Sequence, residues 1–310
     1  PGHILIYKNG LHSYRELPIR IAELADLYRY EQSGELMGLQ RVRTFCLADA
    51  HILCASEEQA VEEVGRALDL IEYVAGVFGL EYGKDYRYRL SLGDRADTEK
   101  YYKNDAAWDK GEDLLRKLLK SRGAEFEEAP GEAAFYGPKI DVQMKNVNGK
   151  EDTAFTVQYD FVMPERFDLT YVGEDGKPHR VFVVHRSSIG AIERIMAFLI
   201  EKYAGAFPLW LSPVQARVLT VSEKQEAYGR EVLEALKTAG IRAELDESGE
   251  TLGKKIRNGK EEKIPYLLVV GDKETEAKTV TAESRDHGKL EAVPLAEFAA
   301  RIAKEAADRA

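Results

Sequence analysis

Hydrophobic and polar positions first fall into a clear period at Ser56. Ser56-Glu57-Glu58-Gln59 is a capping box, in which a hydroxyl receives the N–H three residues on. Val61, Val64, Leu68, Ile71, Val74 and Phe78 then recur at helical spacing, which predicts a helix with one buried stripe. Tyr86 to Leu92 switches to period two, the signature of a strand. Lys139 to Lys145 does the same, with Ile140, Val142 and Met144 on one face. Asn148-Gly149 is a hairpin turn signal, and Ala154 to Phe161 is the predicted returning strand. Val181 to His185 predicts another strand, followed by a helix striped by Ile189, Ile192, Met196, Leu199 and Tyr203. Runs of strands with helices inserted between them predict an antiparallel α+β sheet.

The pattern breaks at Tyr203-Ala204-Gly205-Ala206-Phe207-Pro208, where Gly past a helix and a Pro soon after are stop signals. A domain boundary is placed here, giving regions 1–208 and 209–310. Beyond it the order is strand 214–221, helix 223–239 closed by Gly240, strand 242–245 and helix 252–259. Strands 265–270 and 279–282 and a helix over 294–307 complete it. Such βαβα alternation predicts a smaller, mostly parallel α/β domain of about 100 residues.

Composition narrows the class. A length of 310 residues suits two domains, and no apolar run approaches the roughly 18 residues that span a bilayer. Two cysteines, Cys46 and Cys54, exclude a disulfide scaffold and favour a reducing, cytoplasmic setting; both are read as core residues. Against 44 Lys and Arg stand 54 Asp and Glu, a net charge of −10, which argues against non-specific coating of nucleic acid. Pro1 is not an initiator and no signal peptide follows it, so the chain is expected to begin mid-gene.

Chemistry is densest between Tyr28 and His51. Arg29 and Glu31 share a face if the strand continues through them. Arg41, Arg43, Phe45, Leu47, Asp49 and His51 are all odd-numbered, so an unbroken strand lines them up on one side. Guanidiniums clamp phosphates and a neighbouring ring stacks on a base; a solvated polar strand face is the alternative.

These residues resemble a known family. Tyr28-Arg29-Tyr30-Glu31 with the Gly38 to Phe45 segment looks like motif 2 of the class II aminoacyl-tRNA synthetases, and Ile189-Gly190-Ala191-Ile192-Glu193-Arg194 looks like motif 3. Within that class the threonyl enzymes are most similar, through Pro1-Gly2-His3, Ser13 to Pro18, Asp49-Ala50-His51, Phe135 to Lys139, Thr156 to Phe161, Tyr171-Val172-Gly173 and His185-Arg186. The resemblance runs the whole length and ends in a part similar to that family's anticodon-binding domain. It implies a class II catalytic domain lacking the upstream motif 1, activation of threonine by ATP with Mg²⁺, and transfer to the 3′ end of tRNA(Thr).

By resemblance, Arg29 holds the α-phosphate and the amino-acid carboxylate, Glu31 contacts the adenine edge, Arg41 grips the γ-phosphate and Phe45 stacks under adenine. Arg194, off the apolar stripe of its helix, is the motif 3 arginine; Arg29 and Arg194 are the catalytic candidates. Asp49, Tyr136 and Gln158 line the threonine pocket. His51 and His185 match two zinc ligands, whose cysteine partner falls immediately before Pro1. Leu47 stands where the family usually has glutamine. In the C-terminal domain Lys254, Lys255 and Arg257, with Lys260 and Lys263, form a basic cluster that by itself reads as a solvated helix face and that the resemblance assigns to RNA phosphates. Lys273 and Glu274 match anticodon-contacting positions, and Glu283 replaces a common arginine. The resemblance also implies a homodimer where motif 1 is present. Two rivals are a non-catalytic tRNA-binding paralogue, favoured by Leu47, and a class II synthetase for another amino acid, opposed by the histidine pair.

Overall fold

Local signals decide where the elements of the first half begin and end. The computed structural model describes residues 2–187 and 189–309. A short helix α1 (Gly2–Lys8) precedes β1 (Ile19–Tyr28) and β2 (Thr44–Cys54). The box at Ser56 then opens α2 (Glu57–Val77): the Ser56 hydroxyl accepts the Gln59 N–H at 3.2 Å. The Gln59 side chain reaches back to the Ala55 N–H, one residue earlier than the motif requires. Val64, Leu68 and Ile71 are fully enclosed on the inner face of α2. Each such side chain contributes about 1.5–3 kcal/mol through burial.

β3 (Tyr86–Leu92) and β5 (Lys139–Lys145) form at the predicted residues. Between them lie α3 (Asp105–Ser121) and β4 (Phe126–Pro130), which the pattern had not marked. β6 (Glu151–Asp160) starts three residues before the predicted Ala154, because Gly149 turns the chain tightly at a φ of +76°. α4 (Met163–Arg166), β7 (Thr170–Val172), β8 (Pro178–Arg180), β9 (Phe182–Ser187) and α5 (Ile192–Tyr203) follow. The main sheet has the order β1-β2-β9-β6-β5-β3-β4 and is antiparallel except between β3 and β4. The α+β expectation therefore holds. α2 packs on β2, β6 and β9, and α3 on β3.

The expected stripe of α5 holds only in part: Leu199 is buried and Ile192 and Tyr203 are half-buried, but Met196 is not. The helix starts at Ile192, and its buried residues are Ile195, Phe198 and Leu199, whereas Met196 is 48% exposed. The packed face is centred on Ile195, Phe198 and Leu199, roughly 100° round the helix from the expected one.

The second unit repeats the predicted alternation, but its sheet is mixed rather than mostly parallel: among the described residues two strand pairings are parallel and three antiparallel. β10 (Ala216–Thr220), α6 (Glu226–Thr238), β11 (Ala243–Asp246), α7 (Leu252–Glu261) and β12 (Tyr266–Val270) form a parallel core with β10 between its two partners. α8 (Asp272–Ala277), β13 (Thr279–Ser284), β14 (Gly288–Lys289), β15 (Val293–Pro294) and α9 (Leu295–Asp308) complete it, with β13 antiparallel to β12. Gly240, at a φ of +81°, follows α6 as expected. Val218, Val232, Leu236, Leu268, Phe298 and Ile302 make the core.

The two compact units are Pro1–Phe198 and Leu199–Ala310, dividing within α5, while the stop signals lie at 204–208. Among the described residues no helix is long and apolar enough to cross a membrane.

Candidate active site

Antiparallel register converts the sequence period into a row of side chains. Ile21, His51, His185, Gln158, Lys139 and Ser91 are successive partners across β1, β2, β9, β6, β5 and β3. Cross-strand partners share a face, so two histidines remote in sequence become neighbours, with ring centroids 4.3 Å apart. A cavity of about 740 Å³ opens over this face. It brings together Arg29, Glu31, Arg41, Phe45, Asp49 and His51 with Tyr136, Gln158, His185 and Arg194.

At one end the cavity is cationic. β2 begins only at Thr44, so the expected unbroken face starts at Phe45 and excludes the two arginines before it. Arg43 donates to the Glu31 carbonyl at 3.2 and 3.3 Å and does not line the cavity. Arg41 pairs with the Glu31 carboxylate, Nε at 2.9 Å and Nη2 at 2.8 Å, and holds that carboxyl below its ordinary range. The Phe45 ring is buried beneath the Arg29 guanidinium, whose carbon lies 4.8 Å from its centroid. Arg194 donates from Nε to the Gln40 carbonyl (3.0 Å) and from Nη1 to the Thr153 carbonyl (2.5 Å). Burial, then the neighbouring Arg29, lowers its pKa from the usual guanidinium value. A half-enclosed cation whose partners are neutral carbonyls leaves net positive charge, and that suits an anion.

The turn into α5 is built for this approach. Gly190 sits at a φ of +63°, and a Cβ there would come 2.1 Å from the Ala154 carbonyl oxygen. One residue into α5, the Glu193 carboxylate accepts the Cys46 N–H at 3.1 Å, tying the helix to β2.

The other end carries imidazoles and carboxylates. His185 Nε2 lies 2.6 Å from Asp160 Oδ2, and Asp160 Oδ1 accepts two backbone N–H groups at 2.9 Å. That fully buried carboxylate holds hydrogen on Nε2 of His185 and leaves Nδ1 as its lone pair. The Tyr136 ring stacks on His185 at 4.8 Å, and its hydroxyl donates to Gln158 Oε1. Burial raises the Asp49 carboxyl. Burial, with His185 and His3 adding, pushes His51 down to about 3, so its ring is neutral at pH 7.

His3 is the residue the motifs did not single out. It is buried, its Nδ1 is 2.8 Å from Nδ1 of His51, and its donor atoms cluster with those of Asp49 and His51 within 4.8 Å. Its place in Pro1-Gly2-His3 was the available signal, but only the register of β1 and β2 gives that stretch a partner. The neutral His51 ring and His185, whose Nε2 hydrogen is held by Asp160, offer imidazole nitrogens of the kind zinc takes, whereas both nitrogens of His3 are engaged, by Glu23 and by His51. The cysteines stand apart from these rings: Cys54 is fully buried with its thiol pushed up to about 12, and Cys46 is half-buried at the α5 contact.

In the second unit the basic cluster divides. Lys254 and Arg257 are exposed, Arg257 pairing with Glu261 at 2.9 Å. Lys255 departs from the expectation: it is 4% exposed, and its ammonium donates to the Asp246 carbonyl at 3.0 Å. The helical period turns it inward, where its stem packs and its head finds an acceptor. Lys260 is paired with Glu283 at 2.6 Å. Lys273 is exposed on α8, whereas Glu274 is engaged structurally, accepting the Gly271 N–H at 2.9 Å and the Thr281 hydroxyl at 2.7 Å.

Known proteins share this architecture. Residues 1–203 match the tRNA synthetase class II core domain family (G, H, P, S and T), and residues 215–305 match the anticodon binding domain family. The chain is 51% identical over 306 residues to a threonine–tRNA ligase of Anoxybacillus flavithermus, covering 98% of this chain and 47% of the relative. It is 48% identical over 309 residues to one of Clostridium perfringens, covering 100% and 48%. The chain thus spans about half the length of the curated relatives it matches. A crystal structure described as the RNA binding domain of threonyl-tRNA synthetase from Cryptosporidium parvum Iowa II superposes with a TM-score of 0.90 at 36% identity, over 98% of this chain and 75% of that one. A putative threonyl-tRNA synthetase from Aeropyrum pernix gives 0.81 at 27% identity, over 100% and 74%.

Proposed function

The chain belongs to the threonyl-tRNA synthetase family of the class II tRNA synthetases, and on that footing we propose that it activates threonine with ATP and passes the threonyl group to the 3′ end of tRNA(Thr) in the cytoplasm. One observation carries this reading: Arg29, Arg41 and Arg194 share a single cavity with the His51–His185 pair. In-line attack of a carboxylate on the α-phosphorus builds negative charge, and fixed guanidiniums stabilise it without reorganising. Arg29 and Arg194 are assigned that work: among the described residues neither forms an ion pair with a carboxylate, and Glu31 and Asp152 act on them only through space. Glu31 and Arg41 pair with each other until adenine and the γ-phosphate divide them. Phe45 supplies the ring on which Arg29, and then the base, is layered. Mg²⁺, which the family uses with ATP, takes most of its ligands from phosphate oxygens and water.

His51 and His185 would hold zinc. When bound, zinc gives the threonine amino and hydroxyl groups a ligand position, a distinction from valine that a hydrocarbon pocket makes only weakly. Asp49 accepts the hydroxyl hydrogen bond, and Tyr136 and Gln158 close the pocket. Lys254, Arg257 and Lys273 supply the exposed charge for tRNA. A non-catalytic tRNA-binding paralogue is the second reading; what favours it is Leu47, an apolar side chain in the cavity wall between Phe45 and Asp49.

Threonine-dependent ATP–pyrophosphate exchange decides between them. Exchange specific to threonine is expected; no exchange with any amino acid selects the paralogue. For protein extended to carry the cysteine that the resemblance places before Pro1, metal analysis is expected to find about one zinc per chain, and zinc content unchanged by His185→Ala would remove the ligand assignment.

A further inference from the structure

Resting on that zinc assignment, we infer that Glu23 and His3 form a hydrogen-bond relay that fixes the tautomer of His51 and leaves its Nε2 as the metal-binding nitrogen. Glu23 faces Asp49 across β1 and β2, and its Oε1 lies 3.1 Å from His3 Nε2. An ionised carboxylate only accepts, so Nε2 of His3 carries the hydrogen. A neutral His3 ring then has its lone pair on Nδ1, which is 2.8 Å from Nδ1 of His51. Two ring nitrogens at that distance share one hydrogen, and with His3 accepting it belongs to His51. The remaining lone pair of His51 is on Nε2. Asp49 does not compete for the shared hydrogen, because its Oδ2 stands 3.6 Å away, beyond hydrogen-bond range. That leaves the Asp49 carboxylate to the substrate.

The arrangement is the counterpart of Asp160 and His185. In both cases a carboxylate sets the tautomer, directly for His185 and through an intervening ring for His51. His3 is 5% exposed and Glu23 about half exposed, so the relay runs from a solvated anion to a buried ring. Partners of this kind orient a ligating imidazole and raise its basicity, and their loss costs about 10–100-fold in metal affinity. Glu23 and His3 are therefore positioning residues: they act on the metal through His51.

Two measurements test this on the 310-residue chain. The first is long-range ¹H–¹⁵N NMR of the histidine rings without metal at pH 7.5. Hydrogen on Nδ1 of His51 and on Nε2 of His3 is expected. Hydrogen on Nε2 of His51, or on both nitrogens of His3, overturns the relay. The second is Zn²⁺ affinity by competition with a chromophoric chelator. Glu23→Ala and His3→Phe are expected to weaken binding about tenfold or more. Glu23→Gln keeps an acceptor, and His3→Asn puts an amide oxygen near the position of Nδ1, so both should restore most of the affinity. A purely space-filling His3 would give the reverse order, with Phe tolerated and Asn not, and that order overturns the inference, as does unchanged affinity in both Glu23→Ala and His3→Phe. Failure of the underlying assignment has a different signature: the expected tautomers with Zn²⁺ affinity indifferent to His185→Ala.

Discussion

The cavity face of the first unit and helix α7 of the second both carry clustered cations, yet their charges are disposed in opposite ways. On α7, Arg257 is matched by Glu261 and Lys260 by Glu283, and Lys255 is folded inward onto a carbonyl. In the cavity, Arg194 is half-enclosed with carbonyl partners and Arg29 lies over a ring. Surface pairs are worth little, so matched charges on α7 cost the fold almost nothing. A desolvated cation without a carboxylate is costly, and a fold retains it when an incoming anion repays the cost. The contrast lies between Arg29 and Arg194, which form no ion pair among the described residues, and Arg257 and Lys260, which do; Arg41 in the cavity is paired like the latter.

Breaking the comparison at its strongest point means removing a cavity cation. Arg194→Gln is expected to lower threonine-dependent pyrophosphate exchange about 10²–10³-fold, since one preorganised electrostatic donor is lost. Its melting temperature should stay near that of the parent; a large fall in Tm with little change in exchange would make Arg194 a structural residue.

The next effect lies in the second unit. Lys255→Met keeps the aliphatic stem but leaves the Asp246 carbonyl without its donor, a loss of about 1–3 kcal/mol in denaturant unfolding. The salt dependence of tRNA binding should be unchanged. A shallower salt slope would return Lys255 to the RNA surface.

A smaller effect sharpens the cavity side. His51 has its pKa lowered from 6.5 to about 3, so between these values the unfolded chain binds more protons than the folded one. Stability is then complete above pH 6.5 and falls as pH is lowered, by at most about 1.4 kcal/mol per pH unit. His51→Gln should flatten that slope in unfolding curves from pH 7 to pH 5 in metal-free buffer; an unaltered slope would place the dependence elsewhere.

The smallest expected change is Arg257→Ala, within about 0.5 kcal/mol in stability because its pair is exposed. If Arg257 meets a phosphate, log K for tRNA should lose roughly one unit of salt slope.

Much of the fold was legible because its signals are local. The Ser56 cap, the alternation of β3 and β5, the Asn148-Gly149 turn and Gly240 each depend on residues close in sequence, and all formed where read. Errors arose where packing overrode period. The packed face of α5 centres on Ile195 rather than on Met196, and the strand expected to hold Arg41 in the row began only at Thr44. Lys255 read as surface charge because a one-residue rotation on a helix is invisible to composition.

By itself the sequence determined much of the order of elements, though not α3 and β4, together with the two-part organisation and the residue types suited to nucleotide and metal chemistry. Tertiary structure alone decided which of those residues meet. Strand register made His51 and His185 neighbours and placed Glu23 beside His3, and burial left Arg194 charged among carbonyls. The reason is physical: propensity and capping act over a few residues, whereas hydrogen-bond partners and desolvation are set by whatever the fold brings within about 3–4 Å.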